Sequence, residues 1–483
     1  MTGSQTNFCR QFTPVFSRRE MLRISGSGFG GLALATMLGQ QAGRGQETRA
    51  QQKLNPLASK QPHFPAKAKR VIFLFMHGGP SQVDTFDYKP LLTRDNGKPL
   101  PFDKPRVVSS QTGNLLASPW KFQQYGQSGA WVSDLFPHVG RCADDLCIIN
   151  GMWGSNSRHG AALLELHTGS DTFVRPSMGS WITYGLGTEN ENLPGFITVC
   201  PTLTHGGVNA YSSSFLPAVY QGTPLGNASI PADKASIPFI KNADNLPRDL
   251  QRMELDLVRE LNQDHLSKSG ADSALEARIN SFELAFQMQA AAPELQSIAD
   301  ESPQTLKMYG IDGGPTQNFG RQCLMARRFA ERGVRFVQVS HSYKWDQHGN
   351  LKAEHGRNAL EVDQPIAALL TDLKQRGLLE DTLVLWGGEF GRTPVAQGGD
   401  GRDHNPQGYT MWLAGGGVKP GIRWGATDDY GYYAVEDKMH LHDLHATMLH
   451  LLGLDHLRLT YKYAGRDFRL TDVAGEVVTG ILA

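Results

Sequence analysis

Residues 70–80 read RVIFLFMHGGP, an unbroken apolar run, Val71 to Met76, that closes on His77, Gly78, Gly79 and Pro80. A run of strand length with no polar alternation has no face for water, so it reads as a strand covered on both sides with a tight turn at its carboxyl end. The same form recurs at DLCIINGM (145–152), GFITVC (195–200), GVRFVQVS (333–340), DTLVLWGG (381–388) and YTMWLAGG (409–416). Between several of them lie helical patterns. RQCLMARRFAERG ends on Gly333 and ALEVDQPIAALLTDLKQRG on Gly377, each with basic residues in its last turn, where the helix dipole favours them. Apolar strands alternating with helices predict an α/β fold, a mostly parallel central sheet flanked by helices on both faces. Ligands in such sheets gather beyond the carboxyl ends of the strands.

The bulk properties agree. The 483 residues are 40% hydrophobic and 19% charged, ordinary for a globular chain with a large core. With 47 basic and 47 acidic residues the net charge is zero, so no global field draws the protein to nucleic acid, and no nucleic-acid partner is expected. Five cysteines (Cys9, Cys142, Cys147, Cys200, Cys323) show no C-x-x-C spacing, which argues against a disulfide scaffold or zinc ribbon. The start of the chain, FSRREMLRISGSGFGGLALATMLGQ (16–40), carries Arg18 and Arg19 before a weak, Gly-rich apolar stretch, the pattern of a twin-arginine export signal. The expected organisation is a signal over 1–45, a polar linker over 46–69, and one α/β domain over 70–483 with an inserted loop and helical region at about 200–300. The expected location is outside the cytoplasm, periplasmic or extracellular, reached through the twin-arginine machinery, with no stable membrane span in the mature chain.

The residues just after the strands are the informative ones: His77 after the first; Ser155, Ser157 and His159 after the CIIN strand; Asp346 and His348 after VRFVQVS; Glu389 after LVLWGG; Asp403 and His404 before YTMWLAGG. On one sheet edge they would put several carboxylates and imidazoles in one crevice, a donor set suited to divalent cations. In an extended segment, residues i and i+2 share a side, so Asp346 and His348 can reach one site. The plainer alternatives are a turn capped by Asp346, a structural Glu389–Arg392 ion pair, and an Asx turn at Asp403 in a glycine-rich loop. Ser155 and Ser157 are nucleophile candidates by position alone. His442 and His445 share a helix face, but Asp443 at a helix start explains that stretch structurally.

The stretches MHGGPSQVDTFDYKP (76–90), RPSMGSWITYGLGTENENLPGF (175–196), WDQHGN (345–350), GGEFGRTP (387–394), GRDHN (401–405) and HDLHATMLHLLGLDH (442–456) together resemble a bacterial exported family of unknown function within the alkaline phosphatase and sulfatase superfamily. The resemblance spans nearly the whole mature chain and implies a metal-dependent hydrolase of sulfate or phosphate esters. It maps Asp346 and His348 onto the superfamily's middle Asp-His pair, Glu389 onto a later Asp and His404 onto the last His. Together with the strand-exit positions this gives a candidate metal set, as ligands or the residues behind them, of His77, Asp84, Asp346, His348, Glu389, Asp403 and His404, holding Zn, Ca, Mg or Mn. The candidate catalytic set, by position at the strand exits, is Ser155, Ser157, His159 and Arg392, with Arg392 and Arg402 expected to clamp the anion. The implied substrate is an anionic ester, such as a sulfated or phosphorylated glycan. SNSRHGAALLELHTG (155–169) is similar to the stretch around the sulfatase nucleophile, yet the chain has no C-x-P-x-R or S-x-P-x-R, so no formylglycine is expected. His77 stands where the superfamily has an Asp, with Asp84 as stand-in, and Phe390 stands where it has a His. These departures keep open a different class, a catalytically silent module that binds anionic glycans or serves another exported enzyme.

Overall fold

The computed structural model describes residues 56–103, 113–190, 192–238, 246–269 and 273–483. The twin-arginine stretch and the first part of the expected linker lie outside the described residues. Pro56–Ala483 form a compact unit.

The strands that position the site are β1 (Arg70–Met76), β2 (Leu146–Trp153), β3 (Phe196–Val199), β4 (Thr223–Leu225), β5 (Phe336–His341), β6 (Thr382–Gly387), β7 (Gly391–Gln397), β8 (Gly401–Asn405), β9 (Tyr409–Ala414), β10 (Ile422–Trp424) and β11 (Met439–His440). The helices are α1 (His159–Thr168), α2 (Met178–Leu186), α3 (Arg248–Ser269), α4 (Ser273–Gln296), α5 (Gln317–Glu331), α6 (Leu351–Gln375) and α7 (Leu441–Leu451). Nine strands form the central sheet in the order β10-β2-β9-β6-β1-β5-β3-β4, with β11 sharing the outer edge of β2. Each apolar run that opened the sequence reading is one of these strands, and β1 is central, parallel to β5 and to β6. Pairing is parallel throughout except for β9, which runs antiparallel to both neighbours.

The unbroken apolar composition has a direct physical cause. Ile72, Leu74 and Met76 of β1 pack into one core with α5 and α6. Val71, Phe73 and Phe75 point the other way, into a second core with α1, α2 and α7. Every β1 side chain is buried, and each large apolar residue so covered contributes about 1.5–3 kcal/mol.

Three features differ from the sequence reading. Residues 56–69, read as linker, are tied to the domain: Leu57 is buried, and the Lys60, Lys67 and Ala68 amides donate to the carbonyls of Leu186 and Leu451. The region at 200–300 is not a pure insertion, because β4 within it completes one edge of the sheet; its helical pattern is two helices, α3 and α4. GRDHN is not a loop but strand β8, hairpinned onto β7 with an irregularity between Arg402 and His404.

The reversed strand matters for position. Because β9 enters the sheet from its carboxyl edge, the whole connection from β6 to β9, including the β7–β8 hairpin, stays at that edge, over the ends of β1, β5 and β6.

Candidate metal centre

Two close backbone approaches set the frame. Gly78 has φ +118°, and a Cβ there would lie 2.8 Å from Trp345 N, Trp345 C and Asp346 N, so the turn after β1 rests directly on the turn after β5. A Cβ on Gly401 would lie 2.1 Å from the carbonyl carbon and oxygen of His348, so the hairpin rests on the same turn from the other side. The amides of Lys344 and Trp345 donate to His77 O at 3.2 Å. Trp345, fully buried, donates from Nε1 to His341 Nδ1 at 2.9 Å. Glycine and tryptophan thus fix the backbone that carries Asp346.

Around Asp346 Oδ1 lie four nitrogens: His348 Nε2 at 2.9 Å, His404 Nε2 at 3.1 Å, His159 Nε2 at 3.2 Å and Arg392 Nη2 at 2.7 Å. The other carboxylate oxygen accepts from Tyr343 OH at 3.1 Å. Each imidazole is held from behind by an oxygen acceptor. His159 Nδ1 donates to Glu389 Oε1 at 2.7 Å, His404 Nδ1 donates to the Ser157 carbonyl at 2.7 Å, and His348 Nδ1 donates to Gln397 Oε1. A neutral imidazole with its proton on Nδ1 has a lone pair on Nε2. Three such lone pairs therefore converge on one carboxylate oxygen, an arrangement that repels unless protons or a cation intervene. It is also how metal-binding histidines are oriented by outer oxygen partners. His159 Nε2 is buried with no aligned hydrogen-bond partner, the state of a ligand atom aimed at an ion. The residues present fit a divalent cation.

Electrostatics points the same way. Burial opposes ionisation of Asp346, but the three facing imidazoles and the Arg392 charge outweigh it and hold the carboxyl far below the usual range. Burial likewise opposes ionisation of Glu389, yet the neighbouring His77 and the bond from His159 bring it to about 2. The Asp346 carboxylate raises His348, whereas burial lowers His404. The cluster thus holds fixed negative charge against imidazoles with opposed proton affinities.

Three groups of side chains offer ligand atoms within 4.8 Å of one another: His159 with Asp346 and His404; His348 with Asp403 and His404; and His77 with His159 and His205. Asp346, His348, Asp403, His404 and His77 from the expected metal set are therefore assembled at one edge. His159, expected as a catalytic residue, sits among the ligand atoms. Glu389, expected as a ligand, stands behind His159, with both oxygens 3.1 Å from the Gly78 amide. Phe390 is buried and stacks on His404 and backs His159, at 4.5 and 4.9 Å between ring centroids.

Other expectations are corrected. Asp84 enters none of these groups: its carboxylate takes Arg402 Nε at 2.7 Å and Nη2 at 3.2 Å, plus the Ser81 hydroxyl, in a fully buried ion pair. Arg402 is correspondingly no anion clamp, since its remaining donors go to the Thr393 and Leu116 carbonyls. Arg392 is also consumed, donating to the carbonyls of Gly78, Gly79, Trp345 and Arg402 as well as to Asp346. It fixes the turns. Ser155 Oγ donates to Glu165 Oε1 at 2.6 Å and lies 3.2 Å from His440 Nε2, at the start of α7; Ser157 serves the cluster through its carbonyl. The Ser155 hydroxyl is thus engaged by Glu165 and His440 rather than by the cluster. His442 and His445 bond the Gly169 and Leu166 carbonyls, tying α7 to α1.

His205 was missed. It follows β3, has φ +54°, and its Nδ1 lies 3.4 Å from His77 Nε2. Its strand exit is the same signal that identified the others, but the surrounding Ser, Pro, Asn and Gly residues read as an insertion. Tyr343, also with positive φ (+45°), packs its ring 4.6 Å from His205 and 5.0 Å from His77.

Comparison with known proteins gives the following. Residues 68–482 match the family profile described as "Protein of unknown function (DUF1501)". No curated protein matches the sequence. Among solved structures the chain is similar to the lipoteichoic acid synthase LtaP from Listeria monocytogenes (10% identity, TM-score 0.38, 86% of this chain and 79% of that one). It is also similar to the PsFucS1 sulfatase from Pseudoalteromonas sp. (13%, 0.34, 84% and 72%) and to alkaline phosphatase from the Antarctic bacterium TAB5 (10%, 0.33, 81% and 99%).

Proposed function

The chain belongs to the family described as "Protein of unknown function (DUF1501)", and from the site it builds we propose a metal-dependent hydrolase of sulfate or phosphate esters, exported through a twin-arginine signal. One observation carries the metal reading: His159, His348 and His404, each held at Nδ1 by an oxygen, aim their Nε2 atoms at a single oxygen of Asp346. These four would hold the cation, Asp403 lies beside His348 and His404, and Glu389, Gln397 and the Ser157 carbonyl would orient the rings. When bound, such a cation neutralises charge on an anionic ester and lowers the pKa of a bound water.

The protein's own groups perform the remaining tasks. Arg392, buried and bonded to four carbonyls, fixes the two turns and neutralises part of the Asp346 charge. Phe390 shields the rings of His159 and His404 from solvent. The likeness to a sulfatase and a phosphatase motivates the ester class without establishing it.

A second reading rests on a specific observation: both arginines expected to clamp the anion are committed to structure. A catalytically silent binder of anionic glycans, or a partner of another exported enzyme, would need no such clamp. Elemental analysis of the protein purified without chelator, beside Asp346→Ala, tests the metal. Stoichiometric metal in the wild type and none in the variant is expected; equal content in both refutes the assignment. A panel of phosphate and sulfate esters then separates hydrolysis from binding, since a silent module releases neither anion.

A further inference from the structure

Helix α3 turns its charged side inward and its apolar side outward. Arg248, Arg252 and Arg259 recur at helical spacing on the side that meets α4. Arg252 Nη1 and Nη2 reach the Glu283 carboxylate at 2.8 and 2.6 Å, Arg259 approaches it at 3.8 Å, and the Arg248 and Arg252 guanidinium groups lie 5.0 and 5.1 Å from the Phe286 ring centre. α4 is in turn seated on the domain by Met288, buried in the core that holds α5 and α6, and by Leu284 packed against that core. Leu250, Met253, Leu257 and Leu261 are spaced three, four and four residues apart, so they line up about 140° around the helix axis from the arginines. These four are 41, 63, 48 and 62% exposed, and none enters a hydrophobic core. A surface helix ordinarily buries its apolar stripe and gives its charges to water. Here a stripe about 16 Å long faces out, and exposed apolar surface that runs together in this way marks an interaction site.

The charges beside the stripe define what fits it. Asp249, Glu254 and Glu260 are exposed, and among the described residues they have no ion-pair partner. The cations of the helix are engaged: Arg248 on Phe286, Arg252 and Arg259 with Asp256 and Glu283, and Lys268 with Asp264 at 2.6 Å. Whatever covers the stripe therefore meets three uncompensated carboxylates. A second copy laid antiparallel about Leu257 would set the Glu254 of one copy beside the Glu260 of the other, and a parallel copy would set each acid beside itself, both unfavourable. Helices that lie on lipid carry lysine and arginine on the polar side, and anionic headgroups repel carboxylates.

We propose that α3 is a docking helix for another protein, one that lays a basic amphipathic helix along it. Apolar side chains of that helix cover Leu250, Met253, Leu257 and Leu261, and its lysines or arginines meet Asp249, Glu254 and Glu260, as flanking charges select the partner in paired helices. The inference goes beyond the hydrolase reading and does not rest on it, because none of these residues contributes to the histidine cluster.

The test uses the full-length protein and two model helices of equal length, both with leucine at helical spacing, one with lysine and the other with glutamate at every flanking position. Titration calorimetry is expected to show the leucine–lysine peptide binding about tenfold or more tightly than the leucine–glutamate peptide. The double variant Leu257→Gln, Leu261→Gln, with its fold checked by circular dichroism, is expected to weaken that binding by about tenfold or more. Glu254→Lys with Glu260→Lys is expected to reverse the preference between the peptides. Equal affinity for both peptides, binding of neither, or affinity unchanged in the leucine double variant overturns the inference. Sedimentation that shows a wild-type dimer abolished by the leucine substitutions overturns it in favour of self-association. Binding to phosphatidylcholine or phosphatidylglycerol vesicles abolished by the same substitutions, with neither peptide bound, overturns it in favour of a lipid surface.

Discussion

Replacing Glu389 by glutamine separates a ligand from the residue that holds one. The side chain is 1% exposed, accepts from His159 Nδ1 at 2.7 Å and from the Gly78 amide at 3.1 Å on both oxygens. Glutamine keeps the shape and one acceptor oxygen but removes the charge, and its amide nitrogen must face either the imidazole N–H or the Gly78 N–H. The loss of one charge-assisted bond is worth about 1.5–3 kcal/mol, and outer partners of metal-bound histidines alter affinity by about 10–100-fold. Competition against a chromophoric chelator, with elemental analysis for stoichiometry, measures both quantities. The expected outcome is unchanged stoichiometry with affinity about 10–100-fold weaker. Stoichiometric loss of metal on desalting would make Glu389 a direct ligand, and affinity within about twofold of wild type would refute the claim that it orients a ligand at all.

Gly401→Ala removes no ligand atom yet places a methyl 2.1 Å from the His348 carbonyl; metal affinity is expected to fall by about tenfold or more with the fold retained by circular dichroism, and an unchanged affinity would show that the hairpin does not set the position of His348. Arg402→Ala strands the fully buried Asp84 charge, so urea unfolding should report a loss of about 3–5 kcal/mol, whereas a loss below about 1 kcal/mol would mean that water enters and solvates the carboxylate. Burial holds His167, His355 and His445 neutral down to about pH 4, 3 and 3. Their folded values lie below the unfolded value of 6.5, so the unfolded chain gains protons first and the stability they contribute is present above about pH 6.5 and lost as pH falls. Each is expected to cost about 1.4 kcal/mol per pH unit between its two values, measured as urea midpoints at successive pH, and a profile flat from pH 7 to about pH 5 would contradict it.

Much of this architecture is legible from composition alone, because strands buried on both faces leave the same unbroken apolar signature wherever they occur. The strand exits were legible for the same reason: the last apolar residue marks the sheet edge, and the polar residue after it must lie there. What escaped was everything fixed by tertiary backbone contact. The Ser157 carbonyl behind His404 leaves no trace in side-chain identity. Asp84 and Arg402 satisfy each other across a distance of 318 residues, and no local pattern distinguishes that from a ligand and a clamp. Arg392 read as an anion binder because its donors in a glycine-rich stretch look available; four carbonyls and the Asp346 carboxylate take them. β8 read as a loop because glycine at 401 signals a turn, whereas here it lets two backbones touch.

The cluster draws on residues far apart along the chain, with His159 and its support Glu389 separated by 230 positions. Contacts so distant in sequence carry a loop-closure cost, and a chain in which these elements have not yet met does not hold the ligand atoms together. If the export route proposed above is the one taken, the chain folds before it is exported, and the proposed metal would then be drawn from the cytoplasmic pool.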